Sequence, residues 1–600
     1  MGGITRRGTP APDAAAPPFP PSNTDLIAPD ARGLNFYAID HAFGGLLDLH
    51  MPADLRRHME PHLQRMGELA GGRLDELAEL ADKHPPVLHH RDRFGRDQDW
   101  VEFHPAYREI ERIGFGDFGM QAMSRRAGVL DWPAPVPPIA KYAFQYLFVQ
   151  AEFGTMCPIS VSDTSALLIG KYGSEEIKNR FLPGMLSQDM DKLLKGAQFM
   201  TEKAGGSDVG NSALAARREG DHWRLYGDKW FCSCADADVA LLLARPEGAP
   251  AGSKGLALFV MPRRLEDGSR NRYRIVRLKD KLGSRSMASG EIVFEGAVAY
   301  HLGRLDRGLT QMMDQVNLSR LSHGVRAAGM MRRCLNEALR VARNRNAFGQ
   351  TIANFALMRR QLLKMLVPTE QALSVFTYTA ATMEQADAGD PAAELRLRLL
   401  TPVLKFRACR DNIKVATTAM ESRGGNGFIE DWVNARLVRD AHLGVLWEGT
   451  SNINALDVIT RAVRRERAHA AMLPDLQQKI AAADGVPGQF RTQLRGLVER
   501  AFRFAEDVAA DPGKEKLARL ASSGLYHAIS AALMAWEAAQ LGARGGDARR
   551  LLLARFVLEQ RLAARDPLAV TDDAWEEAAI DLLLDEKPVP LAQAADLVAG

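Results

Sequence analysis

Apolar positions recur every three or four residues from about Leu34 to Gln198, as in ADLRRHMEPHLQRMGELAG and HPAYREIERIGFG, which predicts a succession of helices. YGSEEIKNRFLPGML adds end signals: Ser174 as an N-cap, Glu175 and Glu176 in the first turn, Pro183 near the stop. Between about Phe199 and Tyr300 the pattern shortens. DHWRLYG, DVALLLAR, LALFVM, YRIVRLK and GEIVFEG are brief Val/Leu/aromatic runs separated by Gly, Asp and Pro, as in a small sheet or barrel. From Leu309 to about Arg467 the long period returns. Met312, Met313, Val316, Val325, Ala328, Met331, Leu335 and Leu339 keep roughly one face of a long helix, and further helices follow around 357–386 and 393–421, as in a bundle. Residues from about 471 are helical again, with turn signals at DGVPG, ADPGK and GARGGD. The pattern predicts a mainly α chain with a middle β domain: a disordered Pro/Ala-rich leader (1–33), an N-terminal α-helical domain (34–198), the β domain (199–300), a helix bundle (301–470) and an extra α-helical domain (471–600).

A length of 600 residues agrees with several domains, and a net charge of +3 argues for neither nucleic acid nor membrane. The five cysteines, Cys157, Cys232, Cys234, Cys334 and Cys409, are scattered and odd in number, which disfavours a disulfide framework and points to a reducing, cytoplasmic setting. Cys232 and Cys234 would share a strand face, but no second pair completes a zinc site, so no metal is expected. The leader has no apolar h-region, Arg6 replaces the hydroxyl of a myristoylation signal, and no run of about 18 apolar residues would span a membrane.

Two apparent motifs lack context. GFGDFG (114–119) fits a dinucleotide fingerprint, but a charged helical segment precedes it where a strand is required; a glycine turn ending a helix is the better reading. His84, His89, His90 and His104 fit no zinc spacing. Other segments are more informative. FMTEKAGGSDVGNS (199–212) combines glycines and hydroxyls in a turn that lets backbone approach a ligand, although a plain helix-to-strand loop would look the same. GDKWFCS (227–233) puts Trp230 and Phe231 on a strand, as core or against a planar cofactor. RNRNAFGQ ends a helix with Arg345, suited to a pyrophosphate or merely to the helix dipole. AMESRGGNGF stops the next with Glu421, Gly424, Gly425 and Gly427. GVLWEGTSNI (444–453) then sets one carboxylate, Glu448, in an otherwise apolar or neutral decapeptide.

In this order, these segments resemble the acyl-CoA dehydrogenase family of flavoproteins over about 140–467. TEKAGGSDV, KWF-S, WEG-(S/T)-x-N-I and the N-terminal HPPVLHHRDRFGRDQDWVEFHPAY are most similar to its alkylation-response (AidB-type) branch. The resemblance implies an N-terminal α domain, a middle β-barrel and a four-helix bundle, with FAD between barrel and bundle, usually in a homotetramer. It places Met200, Thr201, Gly206 and Ser207 on the flavin loop, and Phe231 and Ser233 on a second flavin strand. Arg345 and Phe348 fall where a neighbouring subunit's FAD is held, Glu421, Gly424 and Gly425 at its pyrophosphate turn, and Thr450 and Asn452 at further FAD contacts. Glu448 falls on the base that removes a proton alpha to a thioester while a hydride leaves the beta carbon. The stretch VNLSRLS keeps Ser319 and Arg320 of the family's CoA-contacting pattern but has Asn317 in place of the acid. The implied partners are an acyl-CoA substrate and an electron-transfer flavoprotein or similar acceptor. An oxidase of the same fold, and an FAD protein that binds duplex DNA through its last domain, are the rival readings. Against the latter, residues 471–600 hold 15 Lys plus Arg and 19 Asp plus Glu, and the cluster Arg549, Arg550, Arg555, Arg561 and Arg565 reads as solvated helix faces or subunit contacts.

Overall fold

The computed structural model describes residues 27–566, 568 and 574–599. Most of the proposed leader, residues 1–26, lies outside the described residues. Its end does not behave as a leader. Arg423 donates to the carbonyls of Ala28 and Pro29 at 3.1 and 3.3 Å, and the fully buried Ala31 donates its N–H to Glu337 at 3.2 Å.

The N-terminal helices are interrupted by an antiparallel hairpin, β1 (Val87–Arg91) and β2 (Asp97–Glu102), which the helical reading of 34–198 did not include. Asp92 turns it by accepting from the N–H groups of Phe94 and Arg96, with Gly95 left-handed at φ +75°. GFGDFG continues a helix as a π-turn over Arg112–Asp117 and stops at Gly119, φ +55°. Ser174 caps Glu175–Met185 by accepting from Ile177 N at 3.3 Å. One helix of this domain, α1 (Met156–Tyr172), borders the site described below.

Seven strands follow: β3 (Gly196–Phe199), β4 (Ala215–Glu219), β5 (His222–Ser233), β6 (Val239–Pro246), β7 (Ala257–Pro262), β8 (Tyr273–Leu278) and β9 (Ser289–Leu302). Pairings β6–β4, β4–β5, β5–β9, β9–β7 and β7–β6 close a five-strand barrel, with β3 added beside β6 and β8 beside β9. Strand β6 is covered on both faces, which is why VALLLA reads as an unbroken apolar run.

The bundle is built on α2 (Gly308–Asn344), α3 (Ala356–Asp387) and α4 (Pro391–Arg423). The α2 face read from the sequence is the buried one from Met312 to Leu339, with Met313 only partly buried. Beyond it come α5 (Ser451–Leu456), α6 (Ala518–Ala543) and α7 (Arg550–Val557). The segment after 470 does not stand apart: α6 packs on α3 and α4 in one continuous core. Arg550 is no solvated or intersubunit cation. It is 2% exposed and joins Glu370 on α3 to Glu537 on α6, each at 2.6 Å. Arg549 and Arg555 are also engaged, with Asp547 and Glu559.

Candidate active site

Glu448 sits in a turn that its residue type does not favour. Its φ is +53° and that of Gly449 is +90°, so two consecutive residues are left-handed. A non-glycine residue there costs about 1–2 kcal/mol, and such strain persists where surrounding bonds dictate it. Arg320 Nε donates to the Glu448 carbonyl at 3.2 Å, and Asn454 Nδ2 reaches the Glu448, Gly449 and Thr450 carbonyls at 3.3, 2.7 and 3.0 Å. Lys405 on α4 donates to the Gly449 carbonyl. Gly449 itself has no alternative, since a Cβ would stand 2.9 Å from Ile453 Cγ2.

The Glu448 carboxylate accepts from Ser319 Oγ at 3.0 Å. Burial raises its pKa above the ordinary carboxylate value, outweighing the opposing pull of Ser319, Arg320, Lys405 and Arg326. The residue is half-buried by surface, but its acid group is desolvated. Arg320, 5% exposed, also binds Asp457 at 2.9 Å and reaches Asn317 Oδ1 at 3.5 Å. Asp457 is gripped from the other side by Arg398. The structure therefore brings Ser319 and Arg320 to the base, and Arg320 points inward. Trp447 packs on Cys157, Val161 and Met287 and meets His323 edge to face at 5.5 Å. Burial holds His323 well below its usual pKa, so it is neutral.

The 199–212 loop is fastened by a buried pair that its polar sequence conceals. Glu202 accepts from the N–H groups of Ala213 and Leu214 at 2.6 and 3.3 Å and pairs with Lys229 at 2.6 Å; Lys229 also reaches the Met200 carbonyl at 3.2 Å. The Thr201 carbonyl accepts from Trp230 N at 2.8 Å. Gly206 lies so close to Thr201 that a Cβ would come within 2.7 Å of Oγ1, while Ser207 is exposed beside it. On β5, Phe231 is 50% exposed and Ser233 follows on the same face. Met200 packs in the cluster containing Met312, which precedes Ser319 on α2 by two helical turns, about 10 Å along the axis.

Arg345, Phe348, Glu421, Gly424 and Gly425 form a second group. Arg345 Nη1 would stand 3.3 Å from a Cβ on Gly424, whose φ is +74°, while Gly425 faces open space. Glu421 is exposed and accepts weakly from Gln361 at 3.4 Å. Phe348 is 97% exposed with φ +49°. With a rise of about 1.5 Å per residue, Arg345 lies about 39 Å along α2 from Ser319. Arg345 therefore stands well apart from the base. Thr450 and Asn452 line a separate cleft of about 550 Å³ with Arg410, Lys414, Ser451 and Arg519.

Lys405, His323, Arg326, Asn454 and Asp457 were not singled out from the sequence. A usable signal existed for two of them: Arg326 and Lys405 are cations inside otherwise apolar helical stretches, GVRAAGMM and TPVLKF.

Ser319→Ala should raise the Glu448 pKa further, since it removes the hydrogen bond that favours the carboxylate. A base works deprotonated, so the acid limb of kcat/KM should move to higher pH. The loss on the high-pH plateau should stay near or below about tenfold. A limb that stays in place or moves down would show that Ser319 does not stabilise the ionised base.

Comparison with known proteins gives three matches along the chain. Residues 27–192 match the Adaptive response protein AidB N-terminal domain, 197–297 the Acyl-CoA dehydrogenase middle domain, and 306–463 the Acyl-CoA dehydrogenase C-terminal domain. The putative acyl-CoA dehydrogenase AidB of Escherichia coli (strain K12) is 32% identical over 490 residues, covering 78% of this chain and 86% of its own. Acyl-CoA dehydrogenase family member 11 of Caenorhabditis elegans is 30% identical over 436 residues, 71% and 70% of the two chains. The crystal structure of Caenorhabditis elegans ACDH-11 in complex with C11-CoA superposes with a TM-score of 0.83 at 26% identity, covering 97% of this chain and 99% of that one.

Proposed function

The chain belongs to the acyl-CoA dehydrogenase family, with an AidB-type N-terminal domain, and on that premise we propose that it oxidises the alpha–beta bond of an acyl-CoA thioester with Glu448 as base. The observation that carries this reading is the Glu448 turn: a strained, multiply fastened backbone presents a desolvated carboxylate of raised pKa.

The residues present suit FAD. Gly206 permits backbone approach at the loop, Phe231 offers an exposed ring, and Arg345 beside Gly424 offers a guanidinium and an open turn to a pyrophosphate. When bound, FAD supplies the hydride acceptor. The protein does the rest. Glu448 takes the alpha proton at its carboxylate, Ser319 orients that oxygen, and Arg320, Asn454 and Lys405 keep the turn from relaxing. Trp447, with Cys157, Val161 and Met287, forms an apolar wall that keeps water from the base. Arg320, held by Asp457, serves here through the base's backbone instead of reaching CoA. Asn317 supplies no acid to that pattern.

The deciding experiment is anaerobic bleaching of the FAD-loaded protein by a panel of saturated acyl-CoA thioesters. Because the relative from Caenorhabditis elegans was crystallised with C11-CoA, medium and long straight chains head the panel. Rapid bleaching by any member supports the reading; a protein that cannot be loaded with FAD, or that no thioester bleaches, refutes it. Acid extraction of the flavin should yield FAD and not FMN, because Arg345 and Gly424 would serve a pyrophosphate that FMN lacks. Whether an electron-transfer flavoprotein or oxygen reoxidises it is read from the same preparation.

The separation of Arg345 from the base supports an assembly in which each chain completes a neighbour's cofactor site, a homotetramer or at least a dimer. Arg345→Ala should weaken FAD binding about tenfold to a hundredfold, the worth of a charged hydrogen bond, while sedimentation shows the wild type as an oligomer at micromolar concentration. A monomer with full FAD occupancy would contradict this. Duplex DNA as a ligand of residues 471–600 gains no support from a segment with an acidic excess whose Arg550 is buried in ion pairs. Five buried free cysteines agree with a cytoplasmic setting, and no helix among the described residues is long and apolar enough to cross a membrane.

A further inference from the structure

Helix α2 buries four arginines, and three sit on carboxylates: Arg320 on Asp457, Arg332 on Asp40 and Glu370, Arg333 on Asp75 and Glu337. The fourth, Arg326, is 1% exposed and has no ion-paired carboxylate among the described residues. Its Nε donates to Ser322 Oγ at 3.1 Å, and Ser322 in turn donates to Gln145 at 2.9 Å. Its Nη1 is buried without any hydrogen-bond acceptor. Burying an ion without its partner costs several kcal/mol, and an unsatisfied buried donor of this kind calls for a use.

Its place suggests one. Arg326 follows Ser319 by two helical turns on the same face of α2, about 10 Å further along the axis. Its guanidinium carbon lies 5.9 Å from the Phe153 ring centre, and Cys157 is close enough for the cation to influence its thiol. Cys157 belongs to the small apolar cluster with Val161 and Met287 that packs under Trp447, the residue preceding the base. An apolar wall thus runs from the base toward an unpartnered cation.

We propose that Arg326 reads the far end of the acyl chain, selecting thioesters whose chain ends in a negatively charged hydrogen-bond acceptor, a carboxylate foremost. This rests on the acyl-thioester reading above and narrows its substrate class. The charge balance agrees. Near the base, Arg326 and Lys405 face the single negative charge of Glu448, while Arg320 is offset by Asp457. Desolvation pulls Arg326 below its ordinary pKa, and a docked anion would offset that penalty. When Glu448 takes the alpha proton its charge is lost, and with it the repulsion between the base and an anionic chain end.

The test compares octanoyl-CoA with suberoyl-CoA, chains of equal carbon number that differ in the terminal carboxylate, by anaerobic bleaching of wild type, Arg326→Met and Arg326→Lys. Wild type should favour suberoyl-CoA in kcat/KM by roughly tenfold or more, the worth of a hydrogen bond between charged partners. Arg326→Met should move the acid limb up for both thioesters, because it removes a cation that favours the ionised Glu448. On the high-pH plateau it should lose the preference chiefly through the suberoyl rate, with FAD content kept and melting temperature equal or higher, because an unpaired buried charge is removed. Arg326→Lys should retain part of it. Equal wild-type rates on the two thioesters overturn the proposal. So does an equal plateau loss on both in Arg326→Met, which would make Arg326 a positioning residue for Glu448 alone. If neither thioester, nor any of the wider panel, bleaches the flavin, the dehydrogenase reading itself has failed and this inference falls with it. Should Arg326→Met fail to hold FAD, the wild-type preference and Arg326→Lys still decide.

Discussion

Glu448→Gln should retain fold and FAD and lose turnover by about 10²–10⁴-fold, the usual contribution of a general base. The amide is nearly isosteric, and Ser319 can still donate to its oxygen, so the left-handed turn and its fastenings are undisturbed. What disappears is the basicity that takes the alpha proton, because a neutral amide oxygen is a far weaker base than a carboxylate. Flavin absorbance and melting temperature report on the fold, and single-turnover anaerobic bleaching reports on the chemistry. Unchanged bleaching would mean that another group is the base. Two other buried carboxyls of raised pKa lie against the 284–286 turn, and both are occupied. Glu152 accepts from Thr155 N and Ser286 Oγ at 2.9 Å each, and Asp440 accepts from Ser284 N at 2.6 Å. Ser319→Ala shifting the pH limb while Glu448→Gln abolishes turnover would tie both effects to one carboxylate.

The parts of this site that could be read in the sequence are those with local signatures. A long amphipathic period gave α2, an unbroken apolar run gave β6, and the double glycine after Glu421 marked the end of α4 within a residue. Glu448 stood out because its neighbours are apolar or neutral. The β1–β2 hairpin did not stand out, because β1 is largely exposed and the buried face of β2 carries Asp99 beside Val101 while Trp100 faces outward, so the apolar residues do not alternate. Glu202 and Lys229 look like surface charges in TEK and DKW, and only folding brings them together and buries them. Ser319 meets Glu448 across 129 positions of chain, and Arg398 meets Asp457 across 59; one sequence carries no record of such pairings. Arg326 was overlooked for a related reason. A cation on a helix is ordinarily solvated or paired, and that it is neither here is a property of the packed bundle alone.

The largest effect on stability should come from Arg550→Met. The substitution roughly keeps volume but leaves Glu537 buried with only Ser374 as donor, while Glu370 keeps Arg332. Removing one member of a buried charge network typically costs about 3–5 kcal/mol. Where that loss shows is as informative as its size. If residues 471–600 formed a separate module, the variant would melt in two steps, the first leaving a flavin-loaded dehydrogenase body. The structure argues for one step. Arg550 ties α3 to α6, Gln371 donates to Ser530 Oγ at 2.7 Å, Tyr378 donates to Asp475 on the helix His469–Ala481, and the core runs through both segments without a break. Loss of helical signal, of flavin absorbance and of oligomer size should therefore coincide at one lowered temperature. The double replacement of Arg550 and Glu537 by Met and Leu should recover much of the loss, because exchanging a buried ion pair for apolar groups of similar volume is often neutral. An early transition that releases the C-terminal helices but not the flavin would instead make the added segment an appendage, and would take the closure of the bundle core away from α6.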